Sequence, residues 1–273
     1  MQNVALIQLN VGPNPTDNLP ITVAYLREAA DKGADFILTP ECSNYLCAEG
    51  ANTRTSARLE EQDELLQSAK TIAAEYKIWI CLGSLILAQR LSDKLLNRQF
   101  LIDPNGKTFA IYDKIHLFDV TLNDGEHYRE SATYSRGKQA KFSNVMGHKL
   151  GHSICYDMRF PRLYRDLGAD LFLVPSAFTK TTGEAHWHAL LKARAIENGA
   201  FVLAAAQTGT HDVSRRTFGH TLAIDPWGKI LLDMGTKPGV GIVRLDWNQI
   251  EICRSQLPAM TADQPYEMNS SSK

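Results

Sequence analysis

Short strand-like runs and longer helix-like runs alternate along the chain in two successive halves, and this alternation limits the possible folds more than any other feature. In the first half, an apolar run from Val4 to Leu9 gives way to the breaker Gly12-Pro13-Asn14-Pro15. Val23, Leu26 and Ala30 then recur at helical spacing until Gly33. Asp17 is placed to cap that helix and Pro20 to occupy its first turn. Asp35 to Thr39 reads as a second strand, with Pro40-Glu41 directly at its C-terminal end. Residues 60 to 76 predict a helix and residues 78 to 87 a buried strand. The second half repeats the unit, with a helix over 161 to 168, a strand from Leu171 to Val174, a helix over 184 to 198 and a strand from Phe201 to Ala206. Two related turns, Asp103-Pro104-Asn105-Gly106-Lys107 and Asp225-Pro226-Trp227-Gly228-Lys229, each lie between strand-like runs and predict antiparallel hairpins. Together these features predict a mixed sheet, or two packed sheets, covered by helices.

No Pro/Gly/Ser-rich linker divides the 273 residues, so residues 1-273 are expected to form one domain, with a loosely held polar tail after about 261. A net charge of -1, with the basic residues scattered, gives no general attraction to nucleic acid or to an anionic membrane surface. The first residues have no basic n-region and too short an apolar run for a signal peptide. No apolar stretch approaches the roughly 20 residues that a membrane span requires. Cys42, Cys47, Cys81, Cys155 and Cys253 are odd in number and irregularly spaced, as expected for free thiols in the cytoplasm.

The chain contains no phosphate-binding loop, dinucleotide fingerprint, H-E-x-x-H, C-x-x-C or G-x-S-x-G. His186 and His188 suggest a metal pair, but residues two apart on a helix face different ways, so no metal is expected there. Cys155 stands apart from the other cysteines. It ends the strand-like stretch Leu150 to Ile154 and precedes the turn-like Tyr156-Asp157-Met158-Arg159-Phe160-Pro161, where a nucleophile would be exposed among converging loops. Glu41 and Lys114 also sit at apparent strand ends. Taken singly, an inert core cysteine, a capping carboxylate and a solvated lysine account for the three.

Taken together with their neighbours, they match a family pattern. The segments are Leu38-Thr39-Pro40-Glu41, Tyr112-Asp113-Lys114-Ile115-His116-Leu117, Ile154-Cys155-Tyr156-Asp157-Met158-Arg159-Phe160-Pro161, Pro175-Ser176-Ala177-Phe178, Thr182-Gly183-Glu184-Ala185-His186-Trp187, Arg194-Ala195-Ile196-Glu197 and Gly219-His220, with Asp225-Pro226-Trp227-Gly228. In this order they resemble the nitrilase (carbon-nitrogen hydrolase) superfamily along nearly the whole chain. The resemblance implies an α/β fold, a four-layer αββα sandwich with mixed sheets, and a catalytic triad of Glu41, Lys114 and Cys155. It implies a second carboxylate beside them, placed at Glu130, with Asp124 and Glu126 in the same loop as alternatives. It implies an amidase that forms a cysteine thioester, needs no metal or organic cofactor, acts on a small-molecule amide and associates as a dimer or larger homo-oligomer. A catalytically silent scaffold on this fold would be expected to have lost a triad residue, and all three are present.

Within the superfamily, residues 181 to 187 and Ala204-Ala205-Ala206-Gln207-Thr208-Gly209 most resemble the branch that cleaves deaminated glutathione to 2-oxoglutarate and cysteinylglycine. The basic loop His211 to Arg216 favours it over the related ω-amidase branch, whose substrate is α-ketoglutaramate; carbamoylases and other amidases share the triad with a different pocket. Either keto acid would suit a cation near the nucleophile, for which Arg159 is the candidate, with Tyr156, Phe178 and Thr182 as further substrate-binding candidates. Thr179-Lys180-Thr181 and Asn123 to Tyr128 depart from the common pattern and leave the acyl group open.

Overall fold

The computed structural model describes residues 2–48, 51–121, 127–212, 214–262 and 264–269. Two six-stranded sheets form its centre. In the first, the strands run in the order Gly239–Leu245, Gln2–Gln8, Phe36–Leu38, Trp79–Gln89, Ser92–Ile102 and Thr108–Asp113. In the second, the order is Ile230–Asp233, Leu222–Ile224, Phe201–Ala204, Leu171–Leu173, His148–His152 and Phe142–Val145. Each sheet has a parallel centre and antiparallel margins: Phe36–Leu38 pairs parallel to both neighbours, and so does Leu171–Leu173.

The layering follows from side-chain alternation along strands whose two faces are both covered. Val4, Leu6, Phe36 and Leu38 point inward and meet Leu150, Leu171, Leu173 and Leu203 of the other sheet. The alternate residues Ala5, Ile7, Ile37 and Ile80 pack outward on Leu26, Ala29, Leu66 and Ala69 of helices Pro15–Asp31 and Glu64–Tyr76. On the far side, Phe172, Val174 and Val202 pack on Tyr164, Trp187 and Leu191 of helices Pro161–Leu167 and Lys180–Asn198. The result is the expected αββα sandwich. Among the described residues, no helix is long and apolar enough to cross a membrane.

The two related turns are alike in atomic detail. Asp103 and Asp225 each accept two backbone N–H groups on Oδ1, and Gly106 and Gly228 take φ values of 76° and 86° that the turn demands. Three helix boundaries differ from expectation. Asn14, not Asp17, caps the first helix by accepting the N–H of Thr16, because the helix begins at Pro15; Pro20 consequently lies inside it rather than in its first turn. Asp63 caps the helix that begins at Glu64, and a separate 3₁₀ turn covers Glu60–Gln62. The long second-half helix starts at Lys180 with Thr179 as its cap, four residues before the sequence expectation, and continues through Gly183. That glycine is required by packing, since a Cβ there would meet the Phe218 side chain at 2.4 Å.

Two buried histidines make the fold acid-sensitive. His152 bonds Ser143 Oγ and Gln99 Oε1, His211 bonds the Val11 carbonyl and Thr217 Oγ1, and burial holds both pKa values down to about 4. A histidine lowered in the folded state binds fewer protons than its unfolded counterpart between about 6.5 and 4, so stability is present above 6.5 and is lost as pH falls through that window. We expect chemical denaturation to report a loss of about 2 kcal/mol per histidine between pH 7 and pH 5. His152→Gln should roughly halve that dependence, and an unchanged slope would contradict the assignment.

Candidate active site

The parallel strands at the centre of each sheet deliver the chemistry. Thr39-Pro40 carries the chain from Phe36–Leu38 to Glu41, and Ser153-Ile154 carries it from His148–His152 to Cys155, so both residues lie just beyond the C-terminal ends of parallel strands. Cys155 opens a 3₁₀ turn, Cys155–Arg159, and has φ of +48°, a left-handed backbone that a non-glycine residue holds only when its surroundings enforce it. The enforcement is visible. The Cys155 N–H donates to the Pro175 carbonyl, and the fully buried Asp157 accepts the N–H of Ile154 at 2.9 Å. The same carboxylate accepts the Tyr112 hydroxyl at 2.7 Å and the His116 N–H at 3.0 Å. Asp157 therefore ties the Cys155–Arg159 turn to the segment that carries Lys114.

Glu41, Lys114, Glu130 and Cys155 meet as one buried cluster. Lys114 Nζ donates to Glu41 Oε1 at 2.8 Å and to both oxygens of Glu130 at 3.0 Å. Glu41 Oε1 also accepts Asn97 Nδ2 at 2.8 Å, Glu41 Oε2 accepts the Ala177 N–H at 2.7 Å, and the Cys155 thiol faces the same carboxylate. Glu130 accepts the Phe118 N–H at 2.6 Å. Asp124 and Glu126 lie outside the described residues.

Two carboxylates sharing one ammonium cannot titrate alike. Burial pushes Glu41 up, but Lys114, the Cys155 thiol and the Ala177 N–H leave its carboxyl below the usual range. Burial and the neighbouring Glu41 charge leave Glu130 above it, despite Lys114. Burial opposes the Lys114 ammonium, yet Glu130 and Glu41 hold its pKa above that of an ordinary lysine. Burial, then Glu41, pushes the Cys155 thiol up, so it rests protonated against an ionised carboxylate. Such a pair can transfer its proton only as the sulfur attacks.

The cluster floors a cavity of about 360 Å³ that is also lined by Tyr156, Phe178, Thr182 and Arg215. The Thr182 hydroxyl bonds Thr179 Oγ1 at 2.7 Å. Arg159 is outside this lining: its guanidinium lies over the Phe178 ring, 5.2 Å from the centroid, and bonds His186 Nδ1 at 3.2 Å. Arg215 faces the cavity from the loop before Arg216–Phe218, donates to the Ala177 carbonyl at 2.9 Å and lies over Tyr128, while its enclosed Nε has no partner.

Sequence reasoning did not single out Asn97, the Ala177 N–H, Asp157 or Arg215. For Asn97 the signal was faint: Asn97 and Gln99 share one face of the strand Ser92–Ile102 with Leu95 and Leu101, and both are buried. Arg215 belongs to the basic loop noted above, but nothing local shows which of its residues turns inward.

The pattern described as carbon-nitrogen hydrolase matches residues 3–255. The chain is similar to a deaminated glutathione amidase of Yersinia enterocolitica, 40% identical over 94% of this chain and 91% of the relative. It superposes on the Caenorhabditis elegans NitFhit protein with a TM-score of 0.89 at 31% identity, covering 96% of this chain but only 65% of that longer one. It also superposes on Saccharomyces cerevisiae Nit3, described as a member of branch 10 of the nitrilase superfamily, with a TM-score of 0.85 at 28% identity over 96% of both chains.

Proposed function

The chain belongs to the carbon-nitrogen hydrolase family of the nitrilase superfamily, an amide-cleaving hydrolase, and from that premise we propose that Cys155 is its nucleophile and deaminated glutathione its substrate. The observation that carries the mechanism is the buried Glu41 carboxylate, held by Lys114, Asn97 and the Ala177 N–H beside the Cys155 thiol. Glu41 accepts the thiol proton as sulfur attacks the amide carbon. Lys114 and the Tyr156 N–H receive the developing oxyanion, each such donor being worth about 3 to 4 kcal/mol. The carbon–nitrogen bond then breaks, the protonated Glu41 passes its proton to the departing amine, and the acyl group remains on Cys155 as a thioester. Glu41 next takes a proton from water, which attacks the thioester and releases the acid and the thiol. Glu130 keeps Lys114 in place throughout.

The substrate reading rests on the named relative and on the chemistry of the pocket. An α-ketoglutaryl group carries a carboxylate; besides Lys114, Arg215 is the lysine or arginine that lines the cavity, and Arg159 lies over Phe178 in its wall. Phe178 and Thr182 supply wall rather than charge. Association of copies of this chain belongs to the same reading; the exposed Ile196 and Trp227, adjoining across Gly228, are apolar surface available for it.

We expect kcat/KM for deaminated glutathione to exceed that for α-ketoglutaramate on one preparation; the reverse order would move the substrate to the small ketoamide. Arg215→Met should lower kcat/KM for keto-acid amides about 10- to 100-fold and spare an amide with an uncharged acyl group, as expected for loss of a hydrogen bond to a charged group. Arg159→Lys, measured alongside, assigns the role to the other arginine if it alone shows that selectivity. Equal losses on charged and uncharged substrates would remove both from carboxylate binding.

A further inference from the structure

His188 has a partner set that helix geometry alone does not reveal. His186 turns toward Arg159, whereas His188, on the other side of the same helix, meets His220 and Asp233. His188 Nε2 lies 3.1 Å from Asp233 Oδ2, and His220 Nδ1 lies 2.9 Å from Oδ1 and 3.2 Å from Oδ2 of the same carboxylate. The three ligand atoms lie within 4.8 Å of one another, the one such His/Cys/Asp/Glu group among the described residues.

We propose that His188, His220 and Asp233 form a binding site for a divalent transition metal ion, separate from the amidase cluster. Two imidazoles and a carboxylate are a ligand set that zinc, cobalt, nickel and copper accept. Ligands about 2.0–2.2 Å from such an ion, at tetrahedral or octahedral angles, are about 2.9–3.5 Å apart, so the His–Asp separations already match, and the two imidazole nitrogens lie within 4.8 Å of each other. Water would fill the remaining positions, as the side chains are about one-third exposed.

The surroundings hold the ligands in place. His220 has φ of +54°, a strained backbone fixed by its N–H on the Gly235 carbonyl and by Trp187 Nε1 on its own carbonyl. Phe218 stacks on the His220 ring, its centroid 4.5 Å away, and the Gly235 N–H donates to Asp233 Oδ1. Without metal, the imidazoles can each donate to Asp233; on binding, each proton moves to the opposite ring nitrogen. The ion would join the helix Lys180–Asn198 to the segments after Arg216–Phe218 and at the end of Ile230–Asp233.

The test is calorimetric titration of the full chain with Zn²⁺ and spectroscopic titration with Co²⁺, in Cys155→Ser protein so that the reactive thiol does not compete. The expected result is about one ion per chain, a Co²⁺ spectrum without a thiolate charge-transfer band, and a Tm raised by about 5 °C at 100 times Kd. His188→Ala should weaken binding at least tenfold, and Asp233→Asn gives a second reading if the alanine variant folds poorly. No binding in the parent protein, or equal affinity in a folded variant, overturns the proposal and leaves a histidine–aspartate hydrogen-bond network.

Discussion

Cys155→Ala is expected to lower kcat by roughly a millionfold, the scale of losing the nucleophile in a cooperating catalytic group. Cys155→Ser should be nearly as inactive, because a carboxylate held below the usual range, as Glu41 is, is too weak a base to help a hydroxyl. The other cysteines make the contrast. Cys81 lies between the sheets and Cys253 bonds the Pro226 carbonyl, so alanine there should cost stability while active-site-titrated kcat stays within about tenfold of the parent. Cys47 bonds Thr53 and Cys42 lines the cavity beside Glu41; their alanine variants should also retain turnover, with Cys42 the more sensitive in KM. The comparison is a kcat measurement on the five cysteine-to-alanine variants and Cys155→Ser. Retention of even a thousandth of parental kcat by Cys155→Ala would remove Cys155 from the nucleophile role.

Lys114→Met should damage stability and turnover together. It leaves Glu41 and Glu130 buried without their cation, a loss of about 3–5 kcal/mol for a broken buried pair and hence roughly 5–9 °C in Tm. It also removes an oxyanion donor, which lowers kcat by about 10²–10³. The stability loss has a sign in pH. Without Lys114, burial and mutual repulsion raise both carboxyls above their unfolded values, so the folded variant binds extra protons. A raised acid contributes stability below its unfolded pKa and loses it as pH rises through the folded one. The Tm gap between variant and parent should therefore widen from pH 5 to pH 8. A gap independent of pH, or a variant with parental kcat, would show that Lys114 does not balance these carboxylates.

Those variants probe features that differ in how far sequence could disclose them. The αββα layering was legible because its signals are local: the alternation of Val4 to Leu9, the helical spacing of Val23, Leu26 and Ala30, and two Asp-Pro-x-Gly-Lys turns each act within a few residues. Helix starts were less so. Asp17 and Asn14 are both capable caps, and only the start at Pro15 decides between them. Glu41, Lys114 and Cys155 could be nominated because each stands in a motif, and Glu130 as the carboxylate implied beside them, with Asp124 and Glu126 as alternatives; the structure brings the four together.

What holds them could not be nominated in the same way. Asn97 reaches Glu41 across 56 residues and the Ala177 N–H across 136, contacts set by strand order within the first sheet and by its stacking on the second rather than by any short pattern. His188, His220 and Asp233 illustrate the same limit. The rings of His186 and His188 diverge, as residues two apart on a helix do, but the partners of His188 come from segments 32 and 45 residues further along the chain.

The central claim is a thioester on Cys155, and acid-quenched mass spectrometry tests it most directly. The enzyme is mixed with an activated ester of the α-ketoglutaryl group, chosen so that acylation outruns deacylation, quenched during the burst of released alcohol and digested. The account predicts the mass of the acyl group on the peptide containing Cys155 and on no other. Acyl mass on a different peptide, or an unmodified Cys155 during a full burst, would contradict it.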